Sequence, residues 1–226
     1  GVERNKSIAL ELNNLIAALD RALSTDDAKS VNGAFTAAAS VLQLRGPHLT
    51  LVKIAGRALS CTSLPQSARA KALVNQGRAW RMLGELERAQ QILSWGLSMA
   101  EQAQAEEVEA AAQENLGIVA DLEGKPEQAR VSYEKALPIY RKLGMRKQEG
   151  SILNNLGILD RTKGDLDAAE NNYRQALAIQ TDIGNRRSEA LVLANLATVY
   201  RERQNTAEAI AHYEQALAIF RELQNR

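Results

Sequence analysis

The feature that most constrains this chain is a set of residues that returns every 40 positions. Asn155, Leu156, Gly157, Gly164, Ala169, Tyr173, Ala176, Leu177, Ile179 and Gly184 recur as Asn115, Leu116, Gly117, Gly124, Ala129, Tyr133, Ala136, Leu137, Ile139 and Gly144. Shifted the other way they recur as Asn195, Leu196, Ala209, Tyr213, Ala216, Leu217 and Ile219, with Ala197 in place of the glycine. A weaker copy, Asn75, Gly77, Gly84, Ala89, Leu93 and Leu97, stands one period earlier. Self-similarity at one fixed period predicts stacked supersecondary units, each burying its apolar side against the next.

Aromatics make up only 4% of the sequence. Helices packed through alanine, glycine and leucine suit that composition better than strands do, so the expected class is all-α. Each unit reads as an A helix ending at a glycine (Gly84, Gly124, Gly164) suited to a left-handed C-terminal position, then a B helix opening on an acidic residue or proline. In the last unit Gln204-Asn205 takes that place, Asn being the usual substitute. Small residues on both helices (Gly117, Gly157 and Ala197; Ala129, Ala169 and Ala209) let antiparallel backbones approach, and Tyr133, Tyr173 and Tyr213 fill the space between them. Hairpins offset by a constant rotation give a superhelical solenoid with A helices on its concave side.

Upstream, Ile8, Leu12, Leu15, Ile16, Leu19 and Leu23 predict one amphipathic helix from about Ser7, with Asn5-Lys6-Ser7 read as its cap. Helices over about 27–44 and 48–61 form a degenerate first repeat. The expected layout is therefore 1–26 as an N-terminal helix, 27–66 as the degenerate repeat, and regular repeats at about 67–107, 108–147, 148–187 and 188–226.

Charge and cysteine usage exclude several classes. Lys plus Arg number 28 against 27 for Asp plus Glu, so no general field draws nucleic acid or an anionic membrane. The single cysteine, Cys61, forms no intrachain disulfide and falls in the apolar pattern of a core position. With neither a signal peptide nor a long apolar run in the sequence, a cytoplasmic location is expected. His48 and His212 are far apart in such an array, so neither a metal site nor a Cys-His dyad is expected, and no constellation of residues supports catalysis or a cofactor.

The repeated residues resemble the tetratricopeptide repeat, which has a Leu-Gly pair in helix A and Ala, an aromatic and Ala in helix B. Leu116-Gly117 with Ala129, Tyr133 and Ala136 carry that likeness, as do their counterparts over 156–176 and, with Ala197, over 196–216. The period exceeds the usual 34 residues and is closer to the longer repeats of kinesin light chain and of bacterial regulators. The resemblance implies a right-handed superhelix. Glu11 to Leu23 is similar to the segment before the repeats in bacterial signal-transduction ATPases of the transcription-regulator type, although Arg21 stands where that family often has an aromatic. No phosphate-binding loop is present; Gly124-Lys125-Pro126 is a helix-entry turn.

Asn75, Asn115, Asn155 and Asn195 form a ladder on the A helices. Primary amides both donate and accept, so such a column can pair with the backbone of an extended peptide. In the repeat families that this chain resembles, this position faces the concave groove. The competing reading is that each Asn bonds a neighbouring helix and sets the repeat spacing. Arg78, Arg81, Arg161 and Arg201, interrupted by Asp121, would bias the groove toward an acidic or phosphorylated ligand if they are not merely solvated. The Lys and Asn set of carboxylate-clamp repeats is absent. Glu109, Glu149 and Glu189 read as structural first-turn residues, and Trp80 and Trp95 as packing within the first regular unit.

These observations point to a non-enzymatic module, the sensor or scaffold arm of a larger cytosolic regulator, that binds a protein or peptide segment in the groove. The alternative is the inducer-sensing domain of a bacterial transcription regulator with a small-molecule pocket. Neither nucleic acid nor membrane is an expected partner of this region. The last B helix, with Ala216, Leu217, Ala218, Ile219, Phe220 and Leu223, is expected either to continue into further repeats or to pack on a second copy. A Gly1 start reads as a cloning remnant on an excised piece of a longer protein.

Overall fold

The structure, a computed structural model, describes the backbone of residues 2–224 and the side chains of 10–43 and 46–224. Gly1 lies outside them. The described residues form eleven helices and no strand: α1 Val2–Ser24, α2 Ala28–Arg45, α3 His48–Leu59, α4 Gln66–Met82, α5 Leu86–Gln102, α6 Glu106–Leu122, α7 Pro126–Lys142, α8 Arg146–Lys163, α9 Leu166–Asp182, α10 Arg186–Glu202 and α11 Thr206–Gln224. α4, α6, α8 and α10 are the A helices; α5, α7, α9 and α11 are the B helices. The chain divides into two compact units at Lys125/Pro126.

In the first unit α1 begins at Val2, so Asn5-Lys6-Ser7 lies within the helix instead of capping it. Asp27 does cap α2, accepting from the backbone N–H groups of Lys29 and Ser30. Its neighbour Asp26 accepts from the Thr62 hydroxyl at 2.6 Å and from the N–H groups of Thr62 and Ser63. Those hydrogen bonds, the Thr62 hydroxyl foremost, hold its pKa down at about 2 and fasten the α1–α2 turn to the segment after α3. Leu19, Val31, Phe35, Leu42, Leu51 and Ile54 form the core here. α3 stops at Leu59, two residues before the expected end, and Cys61 is buried in the turn beyond it. Beyond that end the Arg69 guanidinium donates to the carbonyls of Leu59, Cys61 and Leu64, which the helix leaves without partners. In the α4–α5 hairpin a side chain at Gly77 would meet Leu93 Cγ at 2.6 Å, which is why a glycine stands there.

Trp80 is half-buried against the core of Val74, Leu93 and Val119, with the Arg88 guanidinium 5.1 Å from its ring. Trp95 corrects the sequence reading: it is 64% exposed. Leu93, Gly96 and Ala100 occupy the inward stripe of α5, and position 95 falls on the opposite side.

In the second unit a side chain at Gly157 would lie 2.7 Å from the Tyr173 ring. The missing side chain therefore makes the room in which Tyr173 is completely buried, among Leu153, Ala169, Val192 and Leu196. Polar ties join successive helices. Asp160 on α8, itself buried, accepts from Arg130 on α7 at 2.5 Å and from Asn172 on α9 at 2.7 Å. Glu170 on α9 accepts from the Tyr200 hydroxyl at 2.7 Å and from Arg203, and that hydroxyl bond leads the effects that lower its pKa. Glu149 and Glu189 are buried, each paired with the arginine three residues earlier.

Two expectations change at α10 and α11. Gln204, not Asn205, takes the left-handed conformation (φ 62°), while Asn205 accepts from the Glu208 N–H. Tyr213 is 38% exposed, its hydroxyl at 3.0 Å from Thr198 Oγ1, unlike the buried Tyr133 and Tyr173. No described helix packs on that side of α11. Ile219 and Ala216 are buried against α10, with Phe220 and Leu223 packed on the same cluster, so the outward apolar residues of α11 are Ile210, Tyr213 and Leu217.

Candidate ligand-binding face

The asparagine column divides by environment. Asn75 and Asn115 are buried, and each donates its amide N–H to the carbonyl four residues back, Lys71 O at 2.9 Å and Ala111 O at 2.8 Å. Asn75 Oδ1 accepts from Gln43 on α2, and Gln43 Oε1 accepts from Arg78 at 3.2 Å. Gln43 therefore joins two residues of the predicted set. The Asn115 carbonyl oxygen is buried without a hydrogen-bond partner.

In the second unit the amides are more accessible. Asn195 on α10 donates to Asn154 Oδ1 on α8 at 2.8 Å, while Asn155, half-buried beside it, makes no hydrogen bond among the described residues. Asn154 is the residue that periodicity misses, because Glu114 and Ala194 stand at the equivalent positions. A cavity of about 150 Å³ opens between α8 and α10, lined by Ser151, Asn154, Asn155, Ser188, Leu191 and others. Its wall is fixed by a hydrogen-bond chain. Asn185 donates to Gln180 Oε1 at 2.8 Å and to Ser188 Oγ at 2.9 Å, and Gln180, fully buried, donates to the Lys147 carbonyl. Gly150 is required there, since a Cβ would collide with the Gln180 amide.

The arginines differ from one another. Arg81 is half-buried on α4. Arg161 pairs with Glu202 across α8 and α10 at 2.8 Å; burial pulls its pKa down, but the Glu202 carboxylate leaves it raised on balance. Arg201 is exposed and makes no ion pair among the described residues, and Asp121 is exposed as well. The described residues hold no group of His, Cys, Asp and Glu placed to bind a metal ion, and no helix long and apolar enough to cross a membrane.

This is a protein of antiparallel helix-hairpin repeats. Residues 148–222 and 70–95 match the tetratricopeptide repeat family, and the chain carries such repeats in both units. Solved structures share the fold. BtubC from P. vanneervenii is similar with a TM-score of 0.79 at 19% identity, over 97% of this chain and 93% of that one. The STAND signal-transduction ATPase of Pyrococcus horikoshii, which has a tetratricopeptide repeat sensor, is similar with a TM-score of 0.76 at 20% identity; the match covers 92% of this chain and 32% of that protein. A kinesin-light-chain protein of Podospora anserina with nearly identical TPR-like repeats gives 0.61 at 18% identity, over 96% and 97%. No curated protein matches the chain in sequence.

Proposed function

We propose that the chain is a protein-interaction module, the sensor or scaffold arm of a larger cytosolic regulator, which binds an extended protein segment along its A-helix face and carries out no catalysis of its own. The observation that carries this reading is the trio Asn154, Asn155 and Asn195 beside the half-exposed Leu191. Amide groups held on two helices offer donors and an acceptor to a peptide backbone, and Leu191 offers an apolar contact. A small-molecule inducer is favoured less. Such sites enclose about 300–1,000 Å³, against about 150 Å³ for the cavity between α8 and α10; the hollow of about 590 Å³ between α1 and α2 is away from the A helices of the regular repeats.

A peptide selected from a random library on the full chain supplies the probe. Asn155→Ala with Asn195→Ala is expected to weaken its binding by about 2 kcal/mol, on the order of 1 kcal/mol per lost amide, with helicity kept. Unchanged affinity by titration calorimetry would remove the amides from the binding surface.

The partner set extends to a second copy of the chain, seated on Ile210, Tyr213 and Leu217, which are 51%, 38% and 47% exposed. A stripe of this size favours burial. Light scattering should then show a dimer at high concentration that Ile210→Glu with Leu217→Glu reduces to a monomer. A wild type that stays monomeric would end this part of the reading.

A further inference from the structure

Resting on the peptide-binding reading above, we infer that the cavity beside Asn155 is the seat of a neutral carboxamide, the Asn or Gln side chain of the bound segment. The unused hydrogen-bonding groups of the lining decide the class. Asn155 presents two N–H donors and a carbonyl, none engaged among the described residues. The Asn154 carbonyl accepts from Asn195, which leaves its NH₂ group unengaged among the described residues, and Ser188 accepts from Asn185, which leaves its hydroxyl proton. A ligand that meets this set must both donate and accept.

A primary amide does both and pairs with Asn155 through two hydrogen bonds. A carboxylate only accepts, so the Asn155 carbonyl would stay unpaired, and no cation lines the cavity to offset its desolvation. An ammonium only donates, and no carboxylate lines the cavity either. An aliphatic group would pack on Leu191 and Val192 but strand the Asn155 amide. Size agrees with one side chain, since about 150 Å³ is the volume of a cavity that holds benzene. The wall keeps its shape because Gln180 is fully buried and bonded at both ends of its amide. Lys147 and Arg187, exposed one helical turn before Ser151 and Leu191, are the competing influence. They draw acidic groups toward the same face from outside the cavity.

The test uses the full chain and a random dodecapeptide library. Bound sequences should be enriched in Asn or Gln at one position, and a peptide with Asn or Gln there should bind roughly tenfold more tightly than its Asp, Glu or Leu counterparts, about one net hydrogen bond. Asn155→Leu should abolish that preference. Asn155→Asp, which keeps the shape and removes the two donors, should lower it in a protein of unchanged helicity. Tighter binding of the acidic peptide, or an amide preference that survives both substitutions, overturns the inference and leaves the A-helix-face reading standing. A library that yields no binder dependent on Asn155 or Asn195 overturns both.

Discussion

Tyr173→Ala is expected to lower the free energy of unfolding by about 3–5 kcal/mol, the range for truncating a large buried aromatic. The ring is fully buried between α8, α9 and α10 and occupies the space that Gly157 leaves. Its hydroxyl contributes little. It makes no hydrogen bond of ordinary geometry, and burial pushes its pKa up to about 12 against the pull of Arg161, which is already paired with Glu202. Tyr173→Phe should therefore stay within about 1 kcal/mol of wild type. Gly157→Ala forces a methyl group to 2.7 Å from the ring and should cost about 1–3 kcal/mol by overpacking. In the Tyr173→Ala background that methyl has room, so the two effects should be less than additive. Urea unfolding of the wild type and the four variants decides the matter. A Tyr173→Ala protein as stable as wild type would place the ring outside the core.

Asp160→Ala carries the second largest expected effect, about 2–3 kcal/mol. Truncating one partner of a buried ion pair costs about 3–5 kcal/mol because a charge is left uncompensated. Arg130 retains 23% of its side-chain exposure and has Glu134 at 3.9 Å, so the full figure is reduced. The Asn172 amide also loses its acceptor on α8. Replacing the pair together, Arg130→Met with Asp160→Leu, should recover most of the loss, since the requirement is for compensation and not for charge as such. A single Asp160→Ala variant within about 0.5 kcal/mol of wild type would mean that the pair is dispensable.

The hairpins were legible because their close approaches are made by residues that repeat. Gly77 against Leu93 and Gly157 against Tyr173 are packing necessities, and a necessity that recurs between hairpins leaves a period in the sequence. What depends on a single neighbour leaves none. Trp95 sits two residues from the buried Leu93 in sequence but on the opposite side of α5, a phase difference that composition does not reveal. Tyr213 repeats Tyr173 in sequence and differs in burial, because no described helix covers its face of α11. Gln204 adopts the left-handed conformation that Gly84, Gly124 and Gly164 hold in the other hairpins, as Asp26 and Gln104 do at turns of their own, at a cost of about 1–2 kcal/mol for a residue with a Cβ. Among the polar side chains of the second unit, periodicity found Asn155 and Asn195 but passed over Asn154 and the Gln180–Asn185–Ser188 chain, and in the first unit it passed over Gln43. Those residues act through partners on other helices, and only the folded arrangement brings them together.

The most direct test of the binding account is a map of where a selected peptide lies on the full chain, read from backbone and side-chain amide shifts by nuclear magnetic resonance. Binding on the A-helix face predicts the largest changes at Ser151, Asn154, Asn155, Leu191 and Asn195, with the side-chain NH₂ signals of Asn155 and Asn195 among them. Changes confined to the outward side of the B helices, around Trp95 or Leu217, with the α8 and α10 amides unmoved, would contradict it.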